Sequence, residues 1–124
     1  MTLKLNQSKQ LEERTINFSV SIIKAFSNLS TKPELKPIVI QIIKSSTSIG
    51  ANYAEANNAS SKQDFKNKIF ISKKEASETC YWLNVFQKLF PEKDYSKLLK
   101  ESHELTLIIQ KIISTMKASE KNGK

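Results

Sequence analysis

The sequence predicts an all-helical chain that closes as an antiparallel, up-down-up-down four-helix bundle and assembles with further copies of itself. Three observations carry that reading. The 124 residues include only two Gly and three Pro, too little turn chemistry for a sandwich or barrel. The apolar residues fall in four long runs at helical spacing, separated by polar or proline-bearing breaks. Three of those runs carry apolar residues over more of the circumference than one neighbour can cover. The length suits one domain with a real core.

Residues 1–8 are expected to be a flexible lead. Helix one is predicted over residues 9–29, with Leu11, Thr15, Phe18, Ile22, Phe26 and Leu29 in one seam. Ile16, Val20 and Ile23 form a second stripe more than a quarter turn away. The segment from Ser30 to Pro37 breaks the helix, because two prolines four residues apart disfavour continuation.

Helix two is predicted over residues 37–56, with proline in its first turn. It sets Ile38, Ile42, Ile49 and Tyr53 on one face and Val39, Ile43, Gly50 and Ala54 on the next. Ser46, Gly50 and Ala54 recur every four residues and stack along the helix. A mid-helix Gly costs about 1 kcal/mol against Ala, and close approach of a neighbouring backbone is the expected offset. Ser48, Asn52 and Glu55 share a polar face, read as hydrogen-bonding to an adjacent helix or subunit.

The turn Asn57-Asn-Ala-Ser-Ser61 leads into helix three, predicted over residues 61–90. Ser60 or Ser61 can cap it, with Gln63 or Asp64 near its positive end. Its seam is Phe65, Ile69, Ser72, Ala76, Thr79, Leu83, Phe86 and Phe90, while Phe70, Ile71, Tyr81 and Trp82 point elsewhere. Such a helix needs cover on both sides, so Phe70, Tyr81 and Trp82 join Ser48, Gly50, Asn52 and Glu55 as expected packing or subunit contacts. Helix four, predicted over residues 94–117, carries Leu98, Leu105, Ile109, Ile112 and Met116 in register, and residues 118–124 are expected to be disordered.

The chemistry is narrow. One Cys (Cys80) excludes an internal disulfide framework, and one His (His103) has no second ligand for a metal. Glu75 and Glu78 are three apart, as are Glu101 and Glu104, yet neither pair has the Glu-x-x-His spacing of di-metal bundles. No phosphate loop or nucleophile–base arrangement is present. The reading is a non-enzymatic protein without cofactor, metal or small-molecule substrate. No apolar run approaches the ~20 residues of a membrane span, and the first residues lack a signal-peptide core. A cytoplasmic location is expected, with no membrane role.

The segment from Ser46 to Ala56, then Ser61-Lys-Gln-Asp-Phe65, Lys74-Glu-Ala-Ser-Glu-Thr79 and Tyr81-Trp-Leu83, resembles the bacterial four-helix-bundle proteins named after 23S rRNA intervening sequences. Their Ser-Ile-x-x-Asn-x-x-Glu element stands here at Ser48 to Glu55. It is followed by the Ser-rich turn at Ser60, the Phe65 start and the Glu-Thr of helix three at Glu78-Thr79. Ala56 departs from the Gly common after that Glu, and Asn57-Asn58 offers left-handed geometry instead. The resemblance implies an antiparallel bundle, a homopentamer and no catalytic activity. The accessory variability proteins of diversity-generating retroelements look like the same bundle and are basic nucleic-acid binders. The family name records where the genes sit, not ribosomal membership.

The formal charge is +8, from 20 Lys and Arg against 12 Asp and Glu. Such a surface attracts polyanions by steering and counterion release. Lys62, Lys66 and Lys73 fall within about 40° of one another on helix three at ~100° per residue. The leading expectation is non-specific binding of RNA or DNA through these lysines. The alternative is a protein-interaction scaffold in which the lysines only keep an oligomer soluble.

Overall fold

A computed structural model describes residues 2–123, which form α1 (Thr2–Phe26), α2 (Lys36–Asn57), α3 (Lys62–Leu89) and α4 (Ser96–Gly123). A 3-10 turn, Ser27–Thr31, extends α1 into the first connection. The four helices pack in sequence order as a bundle, with the broadest contact between α2 and α3 and the smallest between α1 and α4. Bonded pairs fix the helix directions. Ser8 and Ser19 of α1 meet Tyr53 and Ser46 of α2, so numbers rise on one helix as they fall on the other. The pairs Ser45–Thr79 and Glu55–Lys68 set α2 against α3, and Cys80–Ser102 and Lys66–Glu120 set α3 against α4. Consecutive helices are therefore antiparallel.

Local chemistry explains the helix ends. Pro37 stands in the first turn of α2, where its missing N–H removes no helical bond. Ser61 caps α3 by accepting from the Asp64 N–H at 3.0 Å, and Asp64 places a carboxylate at the positive helix end. Asn58 closes α2 without the left-handed geometry expected of it: its φ is −111°. Its backbone N–H reaches the Glu55 carbonyl at 3.1 Å and its side-chain amide reaches the Ala54 carbonyl at 3.0 Å. Those two bonds satisfy terminal carbonyls that a left-handed residue would otherwise serve.

The helix bounds differ from expectation mainly at the outer ends. Residues 2–8 continue α1 and residues 118–123 continue α4, in place of a flexible lead and a disordered tail. Met1 and Lys124 lie outside the described residues. Tertiary contacts support both extensions, through Ser8 to Tyr53 at 3.1 Å and Glu120 to Lys66 at 3.0 Å. The expected end of helix one at Leu29 falls in the 3-10 turn, where Leu29 still packs into the core.

The core follows the predicted seams closely in α1, α2 and α3. On α4 Leu105 and Ile109 are buried as predicted and Ser102 joins them, but beyond them Ile113 is the buried residue while Ile112 and Met116 are half-buried. One end of the core is aromatic, with Phe26 against Phe86 at 4.4 Å between centroids and against Tyr95 at 5.2 Å. The middle is built from small hydroxyls instead. Thr15, Ser45, Ser46, Ser72, Thr79 and Ser102 are all buried.

Every one of these six hydroxyls has a hydrogen-bond partner, as buried polar groups require. Thr15, Ser46 and Thr79 donate to carbonyls of their own helices. Ser45 donates to the Thr79 hydroxyl at 2.8 Å, and Ser72 donates across to the Ile49 carbonyl at 2.7 Å. Small side chains let the helices approach closely, and Gly50 marks one such point. A Cβ added there would stand 2.8 Å from Thr15 Cβ and closer still to its hydroxyl. The expected neighbour was a backbone; the tight contact is with the Thr15 side chain, and the Thr15 backbone carbon would lie at 3.7 Å.

Candidate nucleic-acid interface

The lysines predicted on α3 lie along the flank that faces α4. Lys62 is exposed at the helix start; Lys66 and Lys73 are half-buried further along. Lys66 is not free, since its ammonium lies 3.0 Å from the Glu120 carboxylate. Lys62 and Lys73 form no ion pair among the described residues.

α4 adds to this flank what sequence reasoning missed. Lys111 lines the same groove as Lys62 and Lys66. Lys117 holds its ammonium 5.9 Å from the centre of the Phe70 ring, a cation–π distance. Neither could be assigned from sequence, because their placement depends on the register of α4 against α3. Phe70, expected as a subunit contact, is partly exposed beside these lysines.

The opposite flank of α3 carries the acids. Glu75 and Glu78 lie towards α2, where Lys44 is the balancing cation for Glu75. Partial burial, reinforced by Glu78, raises the Glu75 pKa above its ordinary value. Glu78 accepts from the Trp82 indole N–H at 3.0 Å, which fixes Trp82 in a half-buried position. The α4 side of α3 thus gathers Lys62, Lys66 and Lys73, while its α2 side mixes acids with Lys68, which is paired with Glu55.

Of the polar residues expected on α2 to bond an adjacent helix or subunit, Glu55 reaches α3 while Asn52 bonds within α2. Glu55 pairs with Lys68 of α3 at 2.7 Å, a contact that raises the Lys68 pKa. The Asn52 amide donates to the Ser48 carbonyl within its own helix at 2.8 Å. Gly50 meets Thr15 of α1. Of the aromatic residues named with them, Tyr81 is the most open, at 61% exposure, and stands edge-on to Trp82 at 5.0 Å.

Arg14 joins α1 to α4. Its guanidinium bonds both oxygens of Glu101, at 2.6 and 2.7 Å, and also reaches Glu104. Those carboxylates raise the Arg14 pKa. Glu101 and Glu104 are thereby engaged in a structural clamp. Cys80 is half-buried with its Sγ 2.9 Å from the Ser102 hydroxyl. No group of three or more His, Cys, Asp or Glu among the described residues is placed to hold a metal ion. No helix among them is long and apolar enough to cross a membrane.

Two comparisons bear on kinship. Residues 8–121 match the sequence profile of a family described as 23S rRNA-intervening sequence protein. A protein of unknown function from the S23 ribosomal protein family of Bacteroides thetaiotaomicron VPI-5482 has a similar crystal structure. It aligns with a TM-score of 0.76 and 33% identity, over 83% of this chain and 97% of that one. No curated protein matches the chain.

Proposed function

The chain belongs to the 23S rRNA-intervening sequence protein family, and from that premise we propose that it is a non-enzymatic homo-oligomer that binds nucleic acid through the α3–α4 flank. The observation that carries the reading is the clustering of lysines on one flank. Lys62, Lys66 and Lys73 share their flank with Lys111 and Lys117, while Glu75 and Glu78 face the other way. Lysine suits phosphate contact more than bidentate base reading, so the binding is directed at the backbone and depends weakly on sequence. Phe70 offers a ring edge for an unpaired base.

Assembly is part of the proposal. Ile16, Val20 and Ile23 of α1 and Ile40 of α2 are exposed, as are Ile71, Tyr81 and Leu89 of α3. Exposed apolar groups at such spacing mark association surfaces. A homopentamer, which the family resemblance implies, would repeat the lysine flank five times and multiply phosphate contacts. The same apolar groups also favour a second reading, a protein-binding scaffold with no nucleic-acid role.

Titrating fluorescent structured RNA and duplex DNA against salt, with oligomer mass recorded alongside, separates the two. Binding that falls linearly in log K against log salt supports the first, and the slope counts phosphates. Lys62→Glu, Lys66→Glu and Lys73→Glu together are expected to weaken it by at least about a hundredfold at low salt. Unchanged binding in that triple variant, or none by the assembled parent, refutes the nucleic-acid reading.

A further inference from the structure

On the far side of the Arg14 clamp from the aromatic core, α1 and α4 part and leave a trough that runs across to the start of α3. It has two adjoining stretches of about 640 and 870 Å³ that share Gln7, Phe65 and Ile112. Its floor is apolar, formed by Phe65, Ile112 and Met116, and its rim near α3 carries Lys62, Lys66 and Lys111. Glu120 is the one carboxylate on that stretch and is spent on Lys66. Lys62 and Lys111 pair with nothing among the described residues.

From Ile108 to Glu120 the trough follows α4 for about 18 Å at 1.5 Å per residue. That is the length of a helix of about 12 residues. An open, elongated apolar floor takes the seam of an amphipathic helix in the helix-in-groove mode. Three lysines on the rim, two of them unpaired, select for carboxylates on the docked helix. Nucleic acid would use the rim and leave the floor unmatched. A second copy of this chain, formally +8, would bring net positive charge to a positive rim.

We infer that the trough between α1, α3 and α4 is a docking site for an acidic amphipathic helix of a partner protein, laid alongside α4 as a fifth helix. This goes beyond nucleic-acid binding, since it uses the apolar floor and does not use Lys73.

The test uses the full chain and a fluorescent synthetic helix of about 14 residues, with Leu at three-and-four spacing and Glu beside them. Anisotropy is expected to give a Kd near micromolar. Lys62→Glu with Lys111→Glu should weaken it by about tenfold or more, while Lys73→Glu leaves it unchanged. Thr115→Arg, an exposed trough position, should block the peptide by bulk and leave RNA binding intact. No binding by folded protein at low salt overturns the inference. So does equal binding of a scrambled peptide of the same composition, which would reduce the effect to charge. Loss of RNA binding in Thr115→Arg without peptide binding in the parent would assign the trough to nucleic acid. A disulfide or photo-crosslink from Thr115→Cys to a second copy in solution would assign it to self-assembly, against the inference.

Discussion

Replacing Gly50 by Ala tests the tight contact between α1 and α2, and the sign of the effect decides the matter. On helix propensity alone the change should stabilise by about 1 kcal/mol. Against that, the new Cβ would lie 2.8 Å from Thr15 Cβ, where carbon atoms normally rest at about 3.5–4.0 Å. Rotating Thr15 about χ1 moves its hydroxyl and methyl but leaves its Cβ in place, so no rotamer relieves the clash. Thr15 is only 1% exposed and its hydroxyl is held by the Glu12 carbonyl at 2.6 Å. α1 and α2 must then separate by about 0.7 Å or more, an overpacking strain of roughly 1–3 kcal/mol. The expected net result is a loss of up to about 2 kcal/mol, or up to roughly 8 °C in Tm, in place of the propensity gain.

Urea and thermal unfolding of Gly50→Ala, Thr15→Ala, Thr15→Gly and both doubles measure this directly. Thr15→Ala keeps the offending Cβ, so it should rescue Gly50→Ala little. Thr15→Gly removes it, and that double should show a favourable coupling of about 1 kcal/mol or more. A Gly50→Ala protein more stable than the parent by about 1 kcal/mol, the unopposed propensity gain, would refute the close approach, as would equal rescue by Thr15→Ala and Thr15→Gly.

Two further outcomes follow from buried groups. Tyr95 is 6% exposed, and its hydroxyl has no hydrogen-bond partner while its ring stacks on Phe26. Tyr95→Phe keeps the stack and removes the orphan, so it should raise stability by about 1 kcal/mol in urea unfolding; a loss would mean the hydroxyl is satisfied in solution. Glu75 has its pKa raised above the ordinary 4.5 by burial and then by Glu78. A raised carboxylate pKa means the folded state favours the protonated form, a contribution present below about pH 4.5 and lost as pH rises through the folded value. Glu75→Gln should therefore be more stable than the parent at pH 7, with the gap closing on acidification; a gap independent of pH would contradict the assigned cause.

Most of the fold was legible because each helix needs a single continuous apolar seam, and that seam is a property of local spacing. Phe18, Ile22 and Phe26 on α1 or Ile69, Ala76 and Leu83 on α3 mark by spacing the faces that the core buries. The turn around Ser61 was legible for the same reason, since capping chemistry acts over three residues. The helix ends were not. α1 reaches back to Thr2 and α4 on to Gly123, and their described anchors, Tyr53 and Lys66, lie on other helices. The candidate interface was half legible. Lys62, Lys66 and Lys73 share a flank by spacing alone, but Lys111 and Lys117 join them only through the α3–α4 register. The same register pairs Lys66 with Glu120 and so lowers its free charge, which no single-helix pattern could reveal.

The α2–α3 contact has a consequence in time as well as in space. These two helices make the broadest contact in the bundle, and only the segment from Asn58 to Ser61 separates them. Closing so short a loop forfeits little chain entropy, and contacts of low sequence separation are the quickest to form. Ser61 already caps the second helix, and the bonds from Ser45 to Thr79 and from Ser72 to the Ile49 carbonyl tie the two together. This hairpin is thus the natural nucleus of the chain. α1 and α4, which meet each other through the smallest contact and the Arg14 clamp, then dock against its two sides.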